Sequence, residues 1–177
     1  MISGDDACVN TGNASIHRPT ADAARAVEIA PANASYVRQL GLAKFNKGDF
    51  KNAAADLLHS IEMHDDAYAM LFHYLARSRA GETADSDLEA SAGRLKDRNW
   101  PYAVIELYLG KRSLSATLDA ADKPNERCEV EFYIGQWHIV KGDPAAAAAP
   151  LKTAVESCPK AFIEYASAVN ELKRLKR

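Results

Sequence analysis

The chain has 177 residues, 47% hydrophobic and 26% charged, which suits one domain with a continuous core and excludes a disordered polymer. Its formal net charge of -2 gives no electrostatic case for nucleic acid or an anionic membrane surface as a partner. No apolar run approaches about 18 residues, so direct membrane insertion is not expected.

Residues 1–18 carry no periodicity and read as an irregular N-terminal arm. Their start, MISGDDACVNTGN, is polar, with no signal peptide as written. Cys8 lacks the apolar stretch that a lipoprotein signal places before its acylated cysteine, so lipidation there is not expected. Residues 19–177 read as a single helical domain. Thr20 to Ala30 turns helical, and Pro31 ends it. A first hairpin spans about 35–64: Val37, Leu40 and Gly41 open it, Gly48-Asp49-Phe50 makes the turn, and Ala53 and Leu57 pack back. A second spans about 67–98. Tyr68, Leu71, Phe72, Leu75 and Ala76 fall at helical spacing before Gly81, and a partner helix over 86–98 carries Leu88, Ala92 and Leu95. Asn99-Trp100-Pro101 resets the chain into a third, 101–121, with Ser113 as the N-cap of its short second helix. The fourth, 126–158, runs from Cys128 to Gly142-Asp143, then from Pro144 through five alanines to Cys158-Pro159. A last helix, 160–176, places Phe162, Ile163, Ala166, Val169, Leu172 and Leu175 on one side, with Glu164, Asn170, Lys173 and Arg174 on or near the other. Its basic end, Lys173 to Arg177, reads as a solvated terminus facing its own helix dipole.

The spacing Gly135, Gly142-Asp143, Ala147, Leu151, Ala154, Pro159 resembles a repeat of the tetratricopeptide (TPR) superfamily, and Gly41, Gly48-Asp49, Ala53 and Leu57 follow the same pattern. Pro31 and the Asp65-Asp66 turn stand one repeat period apart, 34 residues. The resemblance covers roughly residues 22–175 and implies an all-α, TPR-like α-solenoid of antiparallel helix hairpins. The terminal helix would be its capping helix. Glu131 occupies a position where the family favours Trp, a packing task that Phe132 and Tyr133 are placed to take over. More narrowly, Ala76-Arg-Ser-Arg-Ala-Gly81, Trp100-Pro101, Leu107-Tyr-Leu-Gly110, Cys128-Glu-Val-Glu-Phe-Tyr-Ile-Gly135 and Cys158-Pro-Lys160 are similar to a group of exported bacterial TPR proteins of the envelope lipoprotein-adaptor type, some of which dock peptidoglycan hydrolases. That similarity implies a non-enzymatic scaffold or adaptor with a periplasmic or exported address, a cytoplasmic one being the alternative.

Cys128 lies 14 residues before Gly142 and Cys158 lies 16 after it, so an antiparallel hairpin sets both at its open end. Helices packed about 8–10 Å apart can converge there to the Cα separation of roughly 4.4–6.8 Å that a disulfide needs. Spacing and resemblance together predict a Cys128–Cys158 disulfide and an oxidising compartment. The competing reading is two buried free thiols in a cytosolic protein.

No catalytic residue, cofactor or metal site is expected. His59 and His64 are five residues apart, about 140° round a helix, and share no face. Cys128 and His138 are nearly three turns apart, too far for a nucleophile–base pair. The resemblance places the binding surface on the concave face, built mainly by the first helix of each pair. By position that face presents Arg38, Leu42, Phe45, Tyr68, Leu71, Leu75, Arg79, Phe132, Gln136 and Ile139. This is an apolar groove suited to a helix or an extended peptide of a protein partner. Leu42 takes the place of an Asn found in TPR proteins that clamp a C-terminal carboxylate. The competing reading is that several of these residues are core. Two further functional readings stand beside the scaffold. One is a self-associating structural protein, giving a homodimer; the other is an auxiliary subunit or accessory domain of an envelope enzyme.

Overall fold

Ten helices and no strand make up the described part, residues 19–176, of a computed structural model. The arm expected over 1–18, with Cys8 and His17, and the terminal Arg177 lie outside the described residues. In chain order the helices are α1 (Pro19–Ile29), α2 (Ala34–Lys47), α3 (Phe50–Met63), α4 (Ala67–Arg79) and α5 (Asp85–Ala92), then α6 (Tyr102–Tyr108), α7 (Leu114–Asp119), α8 (Pro124–Val140), α9 (Pro144–Ser157) and α10 (Ile163–Leu175). None is long and apolar enough to cross a membrane.

Local chemistry sets the helix ends. The side chains of Asn33, Asp66, Ser113 and Asp143 accept hydrogen bonds from backbone N–H groups in the first turns of α2, α4, α7 and α9. At the other ends α2 and α8 stop at Gly48 and Gly142, whose positive φ of 88° and 81° turns the chain back within two residues. Both hairpins so formed, α2–α3 and α8–α9, are tightly packed.

Their closeness has the same origin in each. A Cβ on Gly41 would lie 2.7 Å from Cγ of Leu57, and one on Gly135 would lie 2.6 Å from Cγ of Leu151. Each leucine therefore sits directly against a bare backbone on the facing helix, and Ala53 and Ala147 beside it are fully buried. At the open end of α8–α9, Cys128 and Cys158 have Cα atoms 5.0 Å apart, within disulfide distance.

Two helix boundaries depart from the sequence expectation. The partner helix of α4 ends at Ala92 instead of Arg98: Gly93 is still helical, but Arg94 and Leu95 bond back only three residues, to Ser91 and Ala92, and the helix tightens and stops. Leu95 still packs on the core from an irregular segment that leads to Trp100-Pro101. The terminal helix starts at Ile163, after a turn at Pro159–Phe162.

Four helices form the middle of the molecule. α2 touches α4, α4 touches α8, α8 touches α10, and α10 touches α2 again, a closed ring. An aromatic series runs through it. Phe45 of α2 meets Phe72 of α4 edge-on at 5.2 Å, and Phe72 stacks on Phe132 of α8 at 5.7 Å. Tyr133 joins from α8, its hydroxyl reaching α10 and its carbonyl accepting from Tyr108 of α6. Phe132 and Tyr133, both fully buried, thus supply the aromatic bulk that Glu131 cannot.

The glycine contacts make a direct prediction. Gly135→Ala should destabilise the protein by about 1–3 kcal/mol in urea unfolding, since the overpacking of Leu151 outweighs the roughly 1 kcal/mol that alanine gains in helix propensity. Combining it with Leu151→Ala should relieve the clash, so the double variant should lose less than the sum of the two single losses.

Candidate functional site

The ring changes what the inner face can present. Five of the ten residues expected to line a concave groove are core in this structure. Phe45, Leu71, Leu75, Phe132 and Gln136 are fully buried, because α2, α4 and α8 pack directly on one another and α10 closes against α2 and α8. Arg79 is also engaged, pairing with the buried Glu171 of α10 at 2.8 Å. Ile139 is half-buried against the core. Arg38, Leu42 and Tyr68 are half-buried and come together at one cavity.

The way α10 sits is itself a correction. Glu164, expected on or near its outer side, is buried, and so are Ser167, Ala168 and Glu171 at the following core positions. Phe162, Ile163 and Ala166 remain half-buried. The helix therefore turns a largely polar stripe inward. Glu171 accepts from Arg79 and from Arg174, which also donates to the carbonyls of Phe45 (3.1 Å) and Asn46 (2.5 Å) at the end of α2. Both guanidinium groups lie over the ring of Phe50. Gln136 and Ser167, fully buried on α8 and α10, have side-chain polar atoms without a hydrogen-bond partner among the described residues.

At the opposite end of α10 a cavity of about 330 Å³ opens between α2, α4, α8 and the start of α10. Arg38, Leu42, Tyr68, Phe72, Glu129, Phe162, Ile163 and Glu164 line it. Arg38 reaches across to Asp66, the N-cap of α4. Glu129 is buried and accepts through one oxygen from both the Tyr68 hydroxyl (2.9 Å) and the Trp100 indole (2.7 Å). Glu164 accepts from the Tyr133 hydroxyl at 3.0 Å. Burial, reinforced by the neighbouring charge of Glu129, pushes the Glu164 carboxyl up to about 7, against opposing pulls from its hydrogen bonds and from Arg38. Tyr68 is held well above the usual phenol range by burial and by Glu129, Glu164 and Glu126. The site is therefore rich in carboxylate and aromatic surface.

Sequence reading found Arg38, Leu42 and Tyr68 here but missed Glu129, Glu164 and Trp100. The missed signal is a polar residue at core spacing. Glu129, Phe132, Tyr133 and Gln136 follow the i, i+3, i+4, i+7 pattern of a buried face, as do Glu164, Ser167, Ala168 and Glu171. A separate cavity of about 450 Å³ lies among α3, α4 and α5. Its His73 is buried, and desolvation with the charge of Arg77 lowers its pKa to about 4, so the imidazole is neutral. Among the described residues no group of three or more His, Cys, Asp or Glu is placed to hold a metal ion. No protein-family model matches the chain.

Glu164 makes stability depend on pH in a defined sense. Its folded-state pKa of about 7 lies above the ordinary 4.5, so between these values the folded chain binds more protons than the unfolded chain. Stability contributed here should be fully present below pH about 4.5 and fall as pH rises to about 7, by on the order of 2 kcal/mol. Urea unfolding across that range should show the fall in the parent, and Glu164→Gln should flatten it.

Proposed function

We propose that this chain is a non-enzymatic, TPR-like interaction module that binds a protein partner at its inner face, in an oxidising compartment of a bacterial envelope. The observation that carries the reading is the pair of hairpins α2–α3 and α8–α9, each built on the same glycine–leucine contact and Gly-Asp turn. Repeated hairpins of this kind present first-helix side chains on one face, and that face is where function concentrates in repeat architectures. Here α10 covers one end of it with polar contacts, and the other end keeps Arg38, Leu42 and Tyr68 around a cavity. The TPR arrangement is thus read as a short array whose terminal helix folds onto its own inner face. The compartment reading rests on Cys128 and Cys158, because a cysteine pair held at bonding distance is kept oxidised outside the reducing cytosol.

Two experiments test this. A photo-reactive phenylalanine analogue at Leu42 or Tyr68, in the full chain in its native host, should give a discrete crosslink to an envelope protein. The same group at the exposed Leu58 on the outer side should not. Equal crosslinking at both places, or none at Leu42 and Tyr68, would overturn the inner-face assignment. Thiol labelling of protein taken from that host should leave Cys128 and Cys158 unlabelled until reductant is added, with a mass gain of about 2 Da on reduction. Complete labelling without reductant would move the chain to a reducing compartment.

A further inference from the structure

The cavity at the N-terminal end of α10 has a chemistry more specific than an apolar groove. Two carboxylates, Glu129 and Glu164, stand in its wall, each more than nine-tenths buried. Neither has an ion-pair partner among the described residues. Their contacts are neutral donors, Tyr68 and Trp100 to Glu129 and Tyr133 to Glu164. Arg38, the cation in the cavity wall, is engaged by Asp66, and Lys123, which lines a neighbouring cavity with Glu129, is engaged by Glu126. Two like charges in a desolvated wall with no counter-charge of their own form a costly arrangement, and a cation seated between them would offset the cost.

The remaining walls select among cations. Leu42, Phe72, Phe162 and Ile163 supply apolar surface, and the Tyr68 ring stands beside the carboxylates. Hydrocarbon walls suit the methylene stem of a long basic side chain, and an aromatic face with carboxylates suits its head. A bare metal ion would instead need a converging set of oxygen or nitrogen ligands, which the described residues do not provide. The cavity is also not a closed pocket for a free small cation. Leu42, Phe162 and Ile163 also wall a trough of about 510 Å³ between α1, α2 and α10, where Ala23, Ala26, Ala43 and Ala166 stand with the polar Gln39, Asn46 and Lys160. Small side chains there leave room for a polypeptide backbone and an apolar neighbour.

We propose that this cavity is a receptor for a lysine or arginine side chain of a partner polypeptide, with Glu129 and Glu164 facing the cation and the adjoining alanine-lined trough holding the apolar residues next to it. The proposal rests on the inner-face reading above and names its partner's chemistry. The groups facing Glu164 are Glu129 and Tyr133 from α8, Tyr68 from α4 and Arg38 from α2. Protons and the incoming cation therefore compete for the same carboxylate.

The test uses the full chain and the capped tripeptide acetyl-Leu-Lys-Leu-amide, with acetyl-Leu-norleucine-Leu-amide as the uncharged match. The indole N–H of Trp100 donates to Glu129, which makes its NMR resonance a local reporter. The lysine peptide should shift that resonance saturably, and the norleucine peptide should bind about tenfold more weakly or less well still. Glu129→Gln and Glu164→Gln, which keep shape and hydrogen-bonding capacity, should each cost about tenfold in affinity for the lysine peptide while leaving the norleucine peptide unaffected. Binding to the parent should also weaken from about pH 8 to about pH 6, a trend that Glu164→Gln should remove. Equal binding of both peptides, no shift at Trp100, or lysine binding indifferent to both substitutions would overturn the proposal. Failure here with an intact crosslink at Leu42 would leave the inner-face reading standing. Lysine binding without any crosslink would instead mark a site for small cations and sink the protein-partner reading.

Discussion

Glu171 is fully removed from solvent, and a carboxylate in that position is tolerated only when its charge is met. Two arginines meet it from different helices, Arg79 from the end of α4 and Arg174 from α10 itself. Arg174 goes further and caps α2, placing a cation on the last carbonyls of that helix, where unpaired oxygens and the helix dipole favour one. This cluster, stacked over Phe50, is the seam at which the ring of α2, α4, α8 and α10 closes. Apart from the seam, α10 is held by Ala168 and by the partly buried Phe162, Ile163, Tyr165, Leu172 and Leu175, which pack on the core.

Closure divides the inner face into two regions with different physics. Near the seam, charges are paired across helices and the surface is consumed. Near the start of α10, carboxylates are buried against neutral donors, and a cavity remains. A repeat protein with a continuous open groove spreads its binding surface over every first helix. Here the open space between α2, α4, α8 and α10 is a cavity at one end, where Arg38, Leu42 and Tyr68 stand beside Glu129 and Glu164.

Much of the fold is legible in the chain because it rests on local rules. The Gly-Asp turns, the Ser113 cap, the glycine–leucine spacing of two hairpins and the facing cysteines all follow from backbone conformation and helical period, which act over a few residues. The ring does not. It depends on Arg174 meeting the end of α2, a contact between residues 129 apart whose only trace is one basic residue in a basic tail. Glu164 was legible only as charge, and charge on an amphipathic helix points outward by default. Its inward orientation depends on Tyr133, a residue on another helix. Half of the expected groove residues are core because α2, α4 and α8 pack on one another, a relation between separate helices that the spacing within any one of them does not carry. The trio Arg38, Leu42 and Tyr68 was readable because α2 and α4 keep their place whether or not the ring closes.

That order has a consequence in time. A chain emerging from the ribosome completes α2–α3 early and α8–α9 late, and each hairpin can form on local contacts as it appears. The seam cannot, because Arg174 of α10 must meet the carbonyls of Phe45 and Asn46, which lie 129 and 128 residues earlier. Until α10 has been made, each hairpin stands on its own local packing, and the ring closes through a late, long-range contact.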